Sequence, residues 1–228
     1  MSLTYKCLII DHDDTAVNSS KTIHYPAHLE VMRQLRPGEP PVSFEGWMEK
    51  NFHPGVMRYY REELGMDDRE IREEFLIWQQ FTKTTIPSFF PGFLEMLDRF
   101  RGEGGIVTVV SHSEVQHIRR DYVENQRDVR SREPLLPEII FGWEFEETKR
   151  KPSPWPVEQI LQKYGLKPED ALILDDLKPG VEMGKTSRVS VAGAGWGHNI
   201  ASIRTYMQEN CIEYFTTVTD FADFLFSN

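Results

Sequence analysis

The sequence predicts an α/β protein, a doubly wound parallel sheet with a helical domain inserted near its start. Three observations carry this. Short apolar runs alternate with amphipathic stretches of helical spacing along most of the chain, the pattern of a parallel sheet covered on both faces. The first apolar run, Cys7–Ile10, ends in a burst of carboxylates, Asp11-His12-Asp13-Asp14-Thr15. Residues 17–87, which follow, carry helical patterns with no strand among them.

Taken in order, the aliphatic run at Cys7–Ile10 reads as a buried strand, and its aspartates fall at the carboxyl end, where open α/β sheets bind ligands. Residues 27–35, 44–64 and 67–84 read as helices, separated by breaks at 38–41 and at Gly65-Met66-Asp67. Their large apolar side chains, Trp47, Met48, Met57, Tyr59, Tyr60, Phe75, Ile77, Trp78 and Phe81, are expected to face one another across a small bundle. Pro91-Gly92 announces a helix over 93–101. A strand over 106–110, a helix over 115–125 and a strand over 138–141 come next, and then a charged connection over 144–151 that is expected to be exposed. Pro154 and Pro156 open a helix over 157–164 that Gly165 closes. Strands over 171–174 and 189–192, a helix over 200–210 and a weaker strand over 214–218 complete the pattern. The expected division is 1–16 with 88–228 for the α/β domain and 17–87 for the helical one.

With 228 residues the chain can bury a full core, and 39% hydrophobic content is ordinary for a folded protein. A formal net charge of −10 argues against nucleic acid or an anionic membrane as partner. Two distant cysteines, Cys7 and Cys211, suit thiols in a reducing compartment better than a disulfide. With no apolar run of spanning length and no leader pattern, the expected location is the cytoplasm. The expected state is a monomer or homodimer.

Three further polar groups fall at or beyond strand ends: Ser111-His112-Ser113 after 106–110, Asp175-Asp176 after 171–174, and Lys149-Arg150-Lys151-Pro152 before the next helix. In a parallel sheet the carboxyl ends share one edge, so these groups can converge into an inventory suited to phosphate and a metal ion. Blander readings stand beside this one. The aspartates can open a turn, Ser111 can cap the following helix, and Lys149 can take the place of Lys151. His12, His112 and His198 are poor candidates for a hard magnesium site, which prefers oxygen.

The order Asp-x-Asp-x-Thr, strand-Ser, Lys-Pro and strand-Asp-Asp resembles the four motifs of the haloacid dehalogenase superfamily of phosphohydrolases. The insertion after the first motif resembles that superfamily's helical cap on a Rossmann-like core. Pro91-Gly92-Phe93, Lys151-Pro152-Ser153-Pro154 and Gly195-Trp196-Gly197 are similar to its phosphoglycolate-phosphatase-like branch. The resemblance implies Asp11 as nucleophile, Asp13 as general acid and base, and Ser111 and Lys151 as phosphate-side groups. It implies Mg2+ held by Asp11, the Asp13 carbonyl and Asp176, with Asp175 in support or exchanging roles with Asp176. Repulsion between Asp11 and Asp13 is expected to help keep one of them protonated. Asp14 stands where the family usually has Gly, and Gly180 where many relatives have an aspartate. His12 and His112 are expected to line the entrance, and Arg58 is the candidate for gripping a substrate anion. The implied activity is hydrolysis of a small phosphorylated metabolite. A phosphomutase resembling β-phosphoglucomutase and a non-catalytic regulatory module are the alternatives.

Overall fold

A computed structural model describes residues 3–126 and 134–227. Six parallel strands form one sheet in the order β3-β2-β1-β4-β5-β6. They are β1 Cys7–Ile10, β2 Ile106–Val110, β3 Ile139–Phe141, β4 Ala171–Asp175, β5 Ser190–Ala194 and β6 Glu213–Phe215. Period-two alternation divides the side chains between the faces. Leu8, Ile10, Leu172 and Leu174 join one buried cluster with Phe93, Leu97 and Phe100 of α5 (Phe93–Gly102), Ile118 and Tyr122 of α6 (Val115–Glu124), and Phe221 and Leu225 of α10 (Val218–Phe226). Cys7, Ile9, Ala171 and Ile173 join the other, with Val157 and Ile160 of α7 (Trp155–Tyr164), Val181 and Met183 of α8 (Lys178–Ser187), and Ile203 and Met207 of α9 (Ala201–Asn210). A strand buried on both faces needs apolar residues at every position, which is why β1 and β4 read as unbroken aliphatic runs.

The strand order reverses direction at β1. The chain moves to β2 and β3 on one side, then returns to β4 on the other. That places a crevice at the carboxyl ends of β1 and β4.

Between β1 and α5 the chain is helical. A wide turn at Ser20–His24 leads into α1 (Tyr25–Leu35), and α2 (Phe44–Phe52), α3 (Val56–Arg58), a further turn at Tyr59–Glu63, and α4 (Asp68–Thr84) follow. Asp67 and Glu70 form a capping box that fixes the start of α4. Arg36 bridges Glu70 and the Leu64 carbonyl, locking α1 to the approach of α4. Val31, Tyr59, Tyr60, Met66 and Ile77 form the insertion's own small core. Trp47 and Met48, expected in the bundle, instead join the cluster on the α9 side of the sheet, where Phe52 meets Tyr206 edge to face at 5.4 Å, and Trp78 stacks on His24 at 6.1 Å. The expected single helix over 44–64 is broken at His53-Pro54-Gly55, with Gly55 at φ 102°.

Two C-terminal elements also differ from expectation. Helix α8 has little sequence signal: Pro179 suits its first turn, but Gly180 and Gly184 lower helix propensity. Close approach explains Gly180, because a Cβ there would lie 2.2 Å from Asp175 Cγ. The strand expected over 214–218 ends at Phe215, and Val218 instead opens α10 behind a Thr217 cap. No helix among the described residues is long and apolar enough to cross a membrane.

Burial raises the Glu74 carboxyl of α4 to about 7. A carboxyl whose folded pKa lies above its unfolded value contributes stability at low pH and loses it as pH rises toward that folded value. Glu74→Gln should therefore melt higher than the native protein at pH 8, with the gap shrinking toward pH 5; a pH-independent gap in thermal melts would refute this.

Candidate active site

The register brings the site together. Ile10 is paired with Val109 on one side and Leu174 on the other, so the residues just beyond these strands share one level. Asp11 continues the ladder by donating its N–H to the Leu174 carbonyl at 2.9 Å, and Ser111 donates likewise to Phe141 at 2.9 Å. Asp175 ends β4, and Asp176 follows it. Asp11, Asp175 and Asp176 are buried and each offers an oxygen within 4.8 Å of the others.

Lys151 reaches into this cluster from the connection before α7. Its Nζ lies 2.5 Å from Asp11 Oδ1 and 2.9 Å from Asp175 Oδ2, with the side chain 5% exposed. The 144–151 connection was expected to be exposed, and Lys151 departs from that because it is the counter-charge for buried carboxylates. Lys149 pairs with Glu146 at 3.0 Å and stays outside. Burial pushes Asp11 well above the usual carboxylate range; the Lys151 ammonium opposes this, while Asp175, Asp176 and Asp13 add to it. Asp176 is raised for similar reasons, burial first and then Asp175 and Asp14. For Lys151, burial favours the neutral form but Asp11 and Asp175 outweigh it, so the ammonium is held charged.

Asp13 behaves differently. Its Oδ1 lies 3.0 Å from His24 Nε2, and its Oδ2 accepts from Ser113 Oγ at 2.6 Å and Ser111 Oγ at 3.4 Å. Burial alone would raise this carboxyl; His24, with His12 and Ser113, outweighs burial and holds it well below the usual range. Repulsion between the two aspartates therefore raises Asp11, while Asp13 is the one held ionised. Trp78 of α4 donates its indole N–H to His24 Nδ1 at 3.0 Å. An indole can only donate, so the imidazole proton sits on Nε2, facing Asp13. His24 and Trp78 thus reach the site from the helical insertion, a role their spacing in sequence does not announce.

Asp176 is also tethered. Thr15 Oγ1 donates to its Oδ1 at 3.2 Å, and His198 Nε2 lies 3.0 Å from its Oδ2. Asp14 adopts φ 54°, a left-handed conformation that Asp tolerates better than most residues, and its Oδ1 accepts the Ser20 N–H at 3.0 Å. Ser111 does not cap α6. Its hydroxyl accepts the Ser113 N–H at 3.1 Å and turns toward Asp13, while Glu114 occupies the cap position.

The three substrate-binding candidates fare unevenly. His112 is exposed beside the site, its Nε2–H donating to the Lys151 carbonyl at 2.8 Å. His12 does not line an entrance: it is 1% exposed and turned inward, with Nε2 3.1 Å from Asp121 Oδ2. Alternate residues of an extended segment point oppositely, so Asp11 and Asp13 facing the crevice sends His12 into the core. Arg58 is exposed on the insertion and pairs with Glu62 at 3.1 Å, and no contact places it with the others.

Comparison with known proteins follows the same lines. Residues 8–194 match the family model of haloacid dehalogenase-like hydrolases. A phosphoglycolate phosphatase of Haemophilus influenzae is 20% identical over 207 residues, covering 87% of this chain and 89% of that protein. A Streptococcus pneumoniae hydrolase of the haloacid dehalogenase-like family superposes with a TM-score of 0.73 at 17% identity, over 97% of this chain and 98% of its own. A Bacteroides vulgatus protein described as a β-phosphoglucomutase superposes with a TM-score of 0.72 at 20% identity, over 97% and 88% of the two chains.

Lys151→Met leaves the carboxylate cluster without its cation. Asp11 should then rise further, and a raised folded pKa removes stability as pH climbs through and above the carboxylate range. We expect a loss of about 3–5 kcal/mol at pH 8, by analogy with broken buried ion pairs, that narrows toward pH 4. Urea unfolding at both pH values measures it, and equal losses would contradict the assignment of Lys151 as counter-charge.

Proposed function

Because the chain belongs to the haloacid dehalogenase-like hydrolase family, we propose that it is a magnesium-dependent phosphatase acting on a small soluble phosphomonoester in the cytoplasm, as a phosphoglycolate-phosphatase-like enzyme. The observation that carries this reading is the buried carboxylate of Asp11, gripped by Lys151 beside Asp175 and Asp176, with a second aspartate two residues on in a different electrostatic setting. Residues 17–87 are proposed as a cap that covers the crevice, and 1–16 with 88–228 as the catalytic core.

Asp11 is the nucleophile. Its carboxylate attacks phosphorus, forms an acyl phosphate, and expels the alcohol of the substrate. Lys151 neutralises charge that would otherwise repel the incoming phosphate, and Ser111 donates to a phosphoryl oxygen. Asp13 takes up a proton from the phosphomonoester monoanion as it binds, gives it to the leaving oxygen, and later takes one from the water that hydrolyses the acyl phosphate. The donors on both oxygens of Asp13 suit the last of these duties, when it must be an ionised base.

A divalent cation fits the remaining negative charge. Asp11, Asp175 and Asp176 supply hard oxygen donors, of the type magnesium takes, at a spacing one ion can bridge. Asp11, the Asp13 carbonyl and Asp176 would hold it, with Asp175 kept in support by Lys151 and the Leu177 N–H. When bound, the ion supplies Lewis-acid charge stabilisation to the phosphoryl group.

The Bacteroides vulgatus neighbour keeps a phosphomutase as the second reading. Incubation with sugar phosphates separates the two, since an isomeric product indicates the mutase and inorganic phosphate alone indicates the phosphatase.

Asp11→Asn should abolish turnover of aryl phosphates in magnesium while the protein stays folded by circular dichroism; undiminished hydrolysis would end the proposal. Asp13→Ala should lower kcat by about 10²–10⁴, the usual range for a lost acid or base. That loss should be steepest for substrates with poor leaving groups, and an equal loss across good and poor ones would remove Asp13 from the acid role. Chelation with EDTA should stop turnover, and added magnesium should restore it.

A further inference from the structure

His12, between the two catalytic aspartates, faces away from the crevice into a chain of polar contacts that the reaction as described does not use. Its Nε2 donates to Asp121 Oδ2 at 3.1 Å, and that carboxylate is only 4% exposed. The other Asp121 oxygen accepts from Arg120 Nη2 at 2.7 Å and Nε at 3.0 Å. The far side of the same guanidinium donates to the carbonyls of Thr82 at 2.6 Å, Lys83 at 3.3 Å and Thr85 at 3.0 Å. These carbonyls belong to the C-terminal end of α4, where backbone acceptors lack helical partners and a cation is favoured.

Aromatic packing runs parallel to the polar chain. The His12 ring stacks on Tyr122 of α6 at 6.1 Å and meets Phe89 edge-on at 6.3 Å. Phe89 lies on the segment that returns from the insertion to the core, bridged to Val17 on the segment that leaves. Asn125 of the α6 C-terminus adds a bond to the Pro87 carbonyl at 3.0 Å on the same return segment. The exit of the helical insertion is thus bonded to α6, and α6 is bonded to the residue flanked by the nucleophile and the acid.

We propose that Arg120 and Asp121 are positioning residues for the proposed phosphatase reaction, forming with His12 a strut that sets the alignment of the Asp11–Asp13 segment from the end of α4. Arg120 suits the task because its planar fork has enough donors to hold a carboxylate on one edge and helix-end carbonyls on the other. Lysine, a point donor on a flexible stem, cannot hold both. The hydrogen bond that His12 Nε2–H donates to this buried carboxylate then fixes the ring, and with it the backbone between Asp11 and Asp13. Displacements of about 1 Å at reacting groups can cost roughly a hundredfold in rate, so such alignment matters to turnover.

The proposal rests on the phosphatase reading, and one arm of its test is independent of activity. Arg120→Ala should lower kcat for p-nitrophenyl phosphate in magnesium by roughly tenfold to a hundredfold with KM changed by less than about twofold. Asp121→Asn should do the same. Because the two act in series, the double variant should lose no more than the worse single one, whereas independent structural roles would multiply. Added guanidinium should return part of the lost kcat to Arg120→Ala, and sodium at equal ionic strength should not. Deuterium uptake over residues 11–18 should rise in Arg120→Ala while that of β4 stays unchanged. Should Arg120→Ala fail to fold, Arg120→Lys retains the charge and stem, lacks the fork, and is expected to show the same kcat and exchange changes. A native kcat in Arg120→Ala, a loss confined to KM, multiplicative losses, or unchanged exchange over 11–18 would each overturn the strut. If the native protein hydrolyses no phosphate ester, the phosphatase reading fails, and the exchange measurement alone still decides the strut.

Discussion

Three carboxylates within one ion's reach, buried at the edge of a sheet, would be untenable without a cation, and Lys151 is the cation the chain itself provides. Much of the crevice follows from that pairing. The ammonium must arrive from a connection that lies far from β1 in sequence, so the segment before α7 has to fold inward against its own polarity. Asp175 turns one oxygen to Lys151 and the other to the Leu177 N–H, which fixes the turn into α8. Gly180 follows from the same turn, because any side chain there would occupy the space Asp175 fills. Burial raises Asp11 and Asp176 first, and because a single unit of positive charge does not balance three carboxyl groups, their mutual repulsion raises both further.

The two neighbouring aspartates illustrate how environment divides labour between identical side chains. Asp11 faces other carboxylates and one ammonium, whereas the hydrogen-bond partners of Asp13 among the described residues are donors: an imidazole N–H and two hydroxyls. The first is therefore raised and the second lowered, although only His12 separates them. Sequence proximity predicts that they interact; it does not predict the direction for each, because the deciding partners come from the insertion and from the end of β2.

How much was legible in the sequence follows from the range of the forces involved. Strands buried on both faces announce themselves as aliphatic runs, and β1, β2 and β4 were readable for that reason. The convergence of Asp11, Ser111, Lys151, Asp175 and Asp176 followed from parallel topology, which puts all carboxyl ends on one edge. Helix α8 was not readable, since its glycines serve contact with β4 and β5 at the expense of local propensity. His12 was misplaced as an entrance residue; the alternation that would have turned it inward was visible, but its buried partner Asp121 was not. His24 and Arg120 carried no pattern, because each acts across a tertiary contact between the insertion and the core, and Trp78, which its spacing assigns to the bundle, turns instead to His24. The motif residues state what chemistry is available, and the long-range contacts state how it is held.

The helical excursion departs and comes back through one narrow doorway: Asn18 is bonded to Ser88, and Ala16 to Phe90, at distances of 2.9 and 3.1 Å. A segment whose two ends are pinned side by side can be lengthened, shortened or exchanged without shifting the register of the sheet beneath it. Recombination at this doorway would leave the strands and the Asp11, Lys151, Asp175 and Asp176 cluster in place, while an exchanged insertion would have to supply its own counterparts to His24 and Trp78 at Asp13. Engineers seeking new substrates for this scaffold have the same natural splice points, at residues 16–18 and 88–90.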